Sequence, residues 1–480
     1  MKTKKLTAWL CTLALVCSTA AGTFAVENAD WPQFMGSPAS PGITSAKTPI
    51  SAAEAKQEWT ARYTVTSEFN GSKYENNACG TPITVGKFVY FTVSTGKLLK
   101  VDAKTGKTAT SAEVAGVPPY FSEIAYGDGK IFVPQQTKTG VKISAFNSDT
   151  LSLSWQSPEI AHGDVPQQIS SPITYYNNHI YFGTYTQDSA TYAYTSGVFA
   201  CVDTKTGQIT WQQANDKAGY YWNGSAVLGS AIAVSDTNGN IVSYGLTDGN
   251  VMSTVSAGGP VSSTLCYAQG RLYAAVNSGY IYAVKADASG KIDAGTAVKS
   301  QMLGNSITSS PVVYNDRLYV AGSGYGSTTP FTVLDASTLK TIYQIKIHSQ
   351  STPLVSTAYS KDDGKVLIYV TDYGTANQDG TFEKGSSSVY VIEDKPGQTK
   401  GSYQTLFTPS VSQSSSQSLT PSQDGMLFYF NDSGTMYAIG KNAPLASPKT
   451  GKIPAVYGVG ILLVSGAVIL ILVKRIRQTA

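Results

Sequence analysis

At 480 residues the chain is long enough to bury a core that needs no disulfide support, and only 14% of its residues are charged. The formal net charge of +4 becomes −3 once the seven basic residues near the two ends are set aside (Lys2, Lys4, Lys5, Lys452, Lys474, Arg475 and Arg477). That balance excludes the basic footprint required for nucleic acid. Cys11 and Cys17 lie in the first 25 residues, and Cys79, Cys201 and Cys266 are an odd set in separate units, so no disulfide framework is implied.

Residues 1–25 combine Met1-Lys2-Thr3-Lys4-Lys5, an apolar run from Leu6 to Val16 and the small-residue pattern Thr23-Phe24-Ala25. This predicts a secretory signal peptide, the run being too short to span a bilayer. Residues 26–55 form an N-terminal extension that opens Asp30-Trp31-Pro32-Gln33-Phe34. Lys56 to Tyr63 reads as an outer strand carrying Trp59.

From residue 56 to 440 one pattern repeats. It is clearest from Ile169 to Trp211, where four runs rich in β-branched and aromatic residues are separated by turns at Asn177-Asn178 and Thr204-Lys205-Thr206-Gly207. Each unit is a four-stranded meander that cannot bury both faces alone, and copies packed around an axis can. Inner strands open at Thr81-Pro82, Ser122-Glu123, Ser171-Pro172, Asn223-Gly224, Ser263-Thr264, Ser310-Pro311, Thr352-Pro353 and Thr420-Pro421. The expectation is an all-β, eight-bladed β-propeller, with seven blades as the alternative. The last unit lacks an outer strand after Ile439-Gly440, so residues near Glu58–Val65 are expected to complete it and remove the free sheet edges. Gln187–Ser196 and the Ser/Gln tract Ser412–Ser418 read as irregular surface loops.

The Trp-Pro-x-Phe opening at Trp31, with Ala200, Asp203, Thr206, Gly207 and Trp211 in one unit, resembles the quinoprotein-like (PQQ-repeat) β-propeller superfamily over roughly Trp31 to Ile439. The resemblance implies the fold. Its members include dehydrogenases, outer-membrane assembly scaffolds and surface proteins, so it does not imply one function. A quinone-dependent dehydrogenase of this superfamily would bring an adjacent Cys-Cys pair, which the sequence lacks. No cofactor is therefore predicted, and pyrroloquinoline quinone has no supporting site residues.

Other chemistry finds little support. His162, His179 and His348 are far apart, with no second ligand at metal spacing. Asp236-Thr237-Asn238-Gly239-Asn240 lacks the downstream bidentate Glu of a calcium loop and reads as a hairpin turn. Gly322 to Gly326 precedes a strand, not a helix, which disfavours a phosphate cradle. No catalytic residue and no metal ligand is predicted. The candidate ligand-binding residues are Asn76, Asn77, Tyr120, Phe121, Tyr221, Trp222 and Asn223, which precede inner strands and should ring one mouth of the central channel.

The C-terminus predicts attachment. Residues 441–455 form a stalk holding Ser447-Pro448-Lys449-Thr450-Gly451, which resembles a Gram-positive sortase sorting signal with Ser in place of Leu. Residues 456–473 are apolar and uncharged, long enough for a transmembrane helix, and residues 474–480 are a basic cytoplasmic tail. The resemblance implies cleavage between Thr450 and Gly451 and linkage to peptidoglycan, the alternative being a plain membrane anchor. Either way the propeller is expected outside the cell. The leading expectation is a non-enzymatic binding or scaffold module for a protein or glycan. The alternatives are a quinone-dependent or sugar-active enzyme and an envelope-protein assembly factor.

Overall fold

The computed structural model describes residues 30–442 apart from 64, 70–71, 77–79, 94–95, 118–122, 362 and 380, with 65–69 and 72–76 as backbone only. The predicted signal peptide, the sorting-like motif and the apolar 456–473 segment lie outside the described residues, as does Cys79. Among the described residues no helix is long and apolar enough to cross a membrane.

Eight blades follow one another, each a four-stranded antiparallel sheet in its main path, so the eight-bladed reading holds over the seven-bladed one. The innermost strands of blades 1 to 8 are Ile83–Val85, Ala125–Gly127, Thr174–Tyr176, Ala226–Val227, Cys266–Ala268, Val312–Tyr314, Leu354–Ser356 and Thr420–Pro421. Blade 8 takes its outer strand, Ala55–Arg62, from the other end of the chain, beside Thr435–Lys441. The Thr60 hydroxyl donates to the Met436 carbonyl at 2.8 Å, and the Tyr63 amide donates to Gly434 O at 2.8 Å. The ring is closed by hydrogen bonds, with no edge left at the join.

Strand alternation explains why the blades assemble. On Lys130–Gln136, Ile131 and Val133 join the apolar cluster against blade 1, and Phe132 joins the cluster against blade 3. Such a strand has no polar face to give to water, so each blade needs two neighbours. Among the described residues there is one apolar cluster at each of the eight blade–blade contacts. Outer strands such as Thr108–Glu113 alternate exposed and half-buried positions, because they form the rim.

The Trp/Thr-Gly pairing acts between blades. Trp59, Trp155 and Trp211 donate their indole N–H to Ala103, Thr204 and Leu246 carbonyls of the next blade, at 2.7, 2.9 and 3.0 Å. Each ring lies on the turn glycine of that blade: a Cβ at Gly106, Gly207 or Gly249 would come within 2.5 to 2.7 Å of the indole. These glycines also have φ of 67 to 75°, so the position requires glycine twice over. Blade 6 has Tyr343 in place of the tryptophan, and its hydroxyl donates to Asp394 at 2.7 Å. Asp394 is fully buried, accepts from Tyr319, and pairs with Arg317 of blade 6, whose Nε lies 2.7 Å away.

The segment from Asp30 to Thr48 runs beneath the innermost strands. It contributes Ile43–Thr44 as a parallel fifth strand beside Leu354–Ser356. Its Trp31, Pro32, Pro38, Ala39 and Gly42 carbonyls accept from Thr84, Tyr126, Val227, Tyr267 and Val355, and the Gln33 side chain accepts from Tyr175. Axis-facing amides of six innermost strands are thereby satisfied, as buried amides must be.

Two loop readings are corrected. Tyr194–Asp203 is a ten-residue strand, so both ends of the expected Gln187–Ser196 loop are paired, with Tyr194 opposite Gln187, and only 188–193 form the connection. The Ser412–Ser418 tract is not a surface loop throughout: Ser414, Ser415 and Gln417 are buried. Ser415 donates to Phe430 O at 3.0 Å, and Ser418 accepts from the Thr352 amide at 2.9 Å. Small hydroxyl side chains fit where blades converge and can satisfy backbone groups there.

Candidate functional site

The connections that enter the innermost strands converge on a central cavity of about 500 Å³, counted with its open mouth. Every blade contributes, from Thr81 in blade 1 to Gln417 in blade 8, and Phe34 of the N-terminal segment closes it from beneath. The lining is mostly Ser, Thr and Gln with two aromatic rings, Phe34 and Trp222. Where eight strands approach one axis short side chains fit most readily, which accounts for the recurrent Ser/Thr of the inner-strand openings.

Glu123 is the one charged residue among the described residues lining the cavity, and it is 7% exposed. Thr81 Oγ1 lies 2.7 Å from both Glu123 Oε1 and Gln417 Oε1, and its single proton serves one of them at a time. Burial pushes the Glu123 carboxyl up to about 7, against the opposing effect of the Thr81 hydrogen bond. Across the cavity, Thr264 Oγ1 is buried and has no hydrogen-bond partner among the described residues.

Trp222 is held at φ 60°, a left-handed conformation that is costly for a bulky side chain. Its ring stacks on Tyr221 at 4.6 Å between centroids, and Tyr221 stacks on Tyr194 at 4.8 Å. Tyr185 closes the group edge-on to Tyr221 at 5.2 Å. Burial, reinforced by Tyr185, pushes the Tyr221 phenol up to about 12, so it is a neutral donor at physiological pH. The strain at Trp222 is the kind that persists where surrounding structure over-determines it, and it seats one end of the aromatic row in the cavity wall.

The sequence-predicted residues divide. Trp222 lines the cavity and Tyr221 stacks behind it. Asn223 is buried and supports the wall instead, donating to Ser235 Oγ and Val261 O, both at 2.9 Å. Asn76 ends the second strand of a hairpin, Val65–Phe69 with Ser72–Asn76, inserted before blade 1. Asn77, Tyr120 and Phe121 lie outside the described residues. Sequence reasoning missed Glu123, although it is the one carboxylate among the eight inner-strand openings, and that was the available signal. Tyr194 and Gln417 were hidden in segments read as loops, and Tyr185 in a run read as a strand.

Elsewhere, His162 pairs with Asp216 at 2.6 Å and His348 lies 3.0 Å from Gly324 O. Asp236 caps its hairpin turn by accepting from Asn238 and Asn240 amides at 3.0 and 2.9 Å. Cys201 and Cys266 are buried free thiols. No group of three or more His, Cys, Asp or Glu suited to a metal occurs among the described residues.

Comparison with known proteins adds the lineage. Residues 59–227 and 237–450 match the family model described as outer membrane protein assembly factor BamB. Among solved structures, BamB from Moraxella catarrhalis superposes with a TM-score of 0.52 at 13% identity, covering 80% of this chain and 99% of that one. The quinohemoprotein alcohol dehydrogenase of Comamonas testosteroni gives 0.57 at 12% identity, covering 86% of this chain and 81% of that one. Quinohemoprotein alcohol dehydrogenase ADHIIG of Pseudomonas putida HK5 gives 0.61 at 11% identity, covering 88% and 81%. No curated protein matches the chain. At these identities the structural likeness speaks for the fold alone. Pyrroloquinoline quinone is a tricarboxylate, and among the described residues the cavity lining offers it no cation and one opposing carboxylate, so those residues do not fit it. The repeat, the eight blades and the match over most of the length agree: the chain belongs to the PQQ-like repeat family whose model is described as outer membrane protein assembly factor BamB.

Proposed function

We propose that this chain is a cell-surface binding or scaffold propeller, not an enzyme, and that it recognises a protein or glycan at the mouth of the central cavity. The carrying observation is the aromatic row Tyr194–Tyr221–Trp222, which begins on a long hairpin of blade 3 and ends in the cavity wall. Stacked aromatic rings beside hydroxyl and amide groups are the surface chemistry of glycan and peptide recognition. A rigid ring of blades presents such loops at little entropic cost. On this reading residues 1–25 export the chain and residues 447–473 hold it at the membrane or the wall.

The test is binding of the full-length chain to immobilised glycans, wall fragments and peptides, repeated with Tyr221→Ala. The reading expects at least one ligand whose binding falls tenfold or more in the variant. Robust alcohol or sugar turnover with added pyrroloquinoline quinone and calcium would refute it. The family match favours a second reading, an assembly factor for other envelope proteins. A stable envelope-protein complex recovered with the wild-type chain, and unaffected by Tyr221→Ala, would favour that reading over ligand capture at the mouth.

A further inference from the structure

The cavity is specific about charge. Among the described residues Glu123 is buried in it without a cation: its one hydrogen-bond partner there is the neutral Thr81 hydroxyl, and no Lys, Arg or His of that set lines the space. A buried carboxylate left this way is costly, and a cationic ligand would relieve the cost. An anionic ligand would increase it. A divalent metal ion asks for several carboxylates or a cage of carbonyls, and the lining supplies one carboxylate. The rest of the wall is that of a polyol site: Ser and Thr hydroxyls, the amides of Gln350 and Gln417, and the unpartnered Thr264 Oγ1. Trp222, held at φ 60°, presents an aromatic surface of the kind that takes the C–H face of a pyranose.

We propose that the axial cavity binds a protonated amino sugar, its ammonium group on Glu123 and its ring against Trp222. The inference rests on the reading that recognition occurs at this mouth, and it names the chemical class. The ammonium replaces the missing counter-charge, the sugar hydroxyls meet the Ser, Thr and Gln side chains, and Phe34 limits depth. A neutral sugar would leave the carboxylate unpaired, and N-acetylation would remove the cation.

The experiment measures binding of glucosamine, glucose, N-acetylglucosamine and butylammonium to the full-length chain at neutral pH. Glucosamine is expected to bind at least about tenfold more tightly than the other three, since a charge-assisted contact is lost in two of them and the ring in the third. Glu123→Gln should abolish the preference over glucose without lowering the melting temperature. Trp222→Gly, which suits the left-handed backbone, should weaken all three sugars and leave butylammonium unchanged. Equal binding of glucosamine and glucose, or butylammonium as tight as glucosamine, would overturn the assignment, as would the absence of any binding. If glucosamine shows no preference while immobilised ligands still depend on Tyr221, the amino-sugar assignment falls and recognition at the mouth stands. If the preference is present and Tyr221→Ala leaves every immobilised ligand bound, the cavity site stands and the role given to the aromatic row in capturing larger ligands falls.

Discussion

Replacing Glu123 with glutamine should make the protein more stable, and only above a definite pH. The native carboxyl has been pushed from 4.5 up to about 7 by burial. A raised carboxyl pKa means that the folded state holds the proton more tightly than the unfolded chain. Between these two values the unfolded chain has released a proton that the folded protein retains, so stability falls as pH rises through the window. Above about pH 7 the whole penalty is present, and the displacement corresponds to roughly 3 kcal/mol at about 1.4 kcal/mol per pH unit. Glutamine keeps an oxygen for the Thr81 hydroxyl and carries no charge. Urea unfolding of wild type and Glu123→Gln should therefore differ by roughly 3 kcal/mol near pH 8.5, and by almost nothing near pH 4. A gain of the same size at both pH values would refute the reasoning, because isosteric repacking does not titrate. So would a glutamine variant less stable than wild type at alkaline pH, which would mean that the carboxylate already has a counter-charge.

Three further outcomes test the frame around the site. Asp394→Ala leaves Arg317 buried without its partner and should cost about 3–5 kcal/mol in urea unfolding, most of it recovered in Asp394→Ala/Arg317→Met. A loss below about 1 kcal/mol would mean that water reaches the pair. Deleting residues 56–65 removes most of the outer strand of blade 8 and should lower the melting temperature by many degrees, whereas unchanged melting would reject closure by this strand. Gly207→Ala places a Cβ 2.7 Å from the Trp155 ring at φ 75° and should destabilise by more than about 1 kcal/mol. Adding Trp155→Ala to that variant should produce less than the sum of the two single losses.

Much of the architecture was legible because it is written in local patterns. Turn signals at Asn177-Asn178 and Thr206-Gly207 bound short runs of β-formers, and their recurrence defines a blade. The missing last strand was visible as a unit ending at Gly440 and an unpaired Trp59 segment near the other end. The site was less legible. Asn223 occupies the expected position, yet its side chain turns into the wall toward Ser235 and Val261. Sequence position in a propeller names the loop, while side-chain direction depends on how the neighbouring blade packs.

The sequence by itself determined the repeat, the strand chemistry and the need for closure, because alternation with period two and turn propensity act over a few residues. Only the tertiary structure decided which residues share the axis. Eight connections, separated by some 340 residues from Thr81 to Gln417, meet there because the ring brings equivalent positions together. That convergence turns a polar Ser/Gln tract into a buried wall and sets Trp222 at the end of an aromatic row. It also leaves Glu123 as a buried carboxyl facing a cavity without a counter-charge among the described residues.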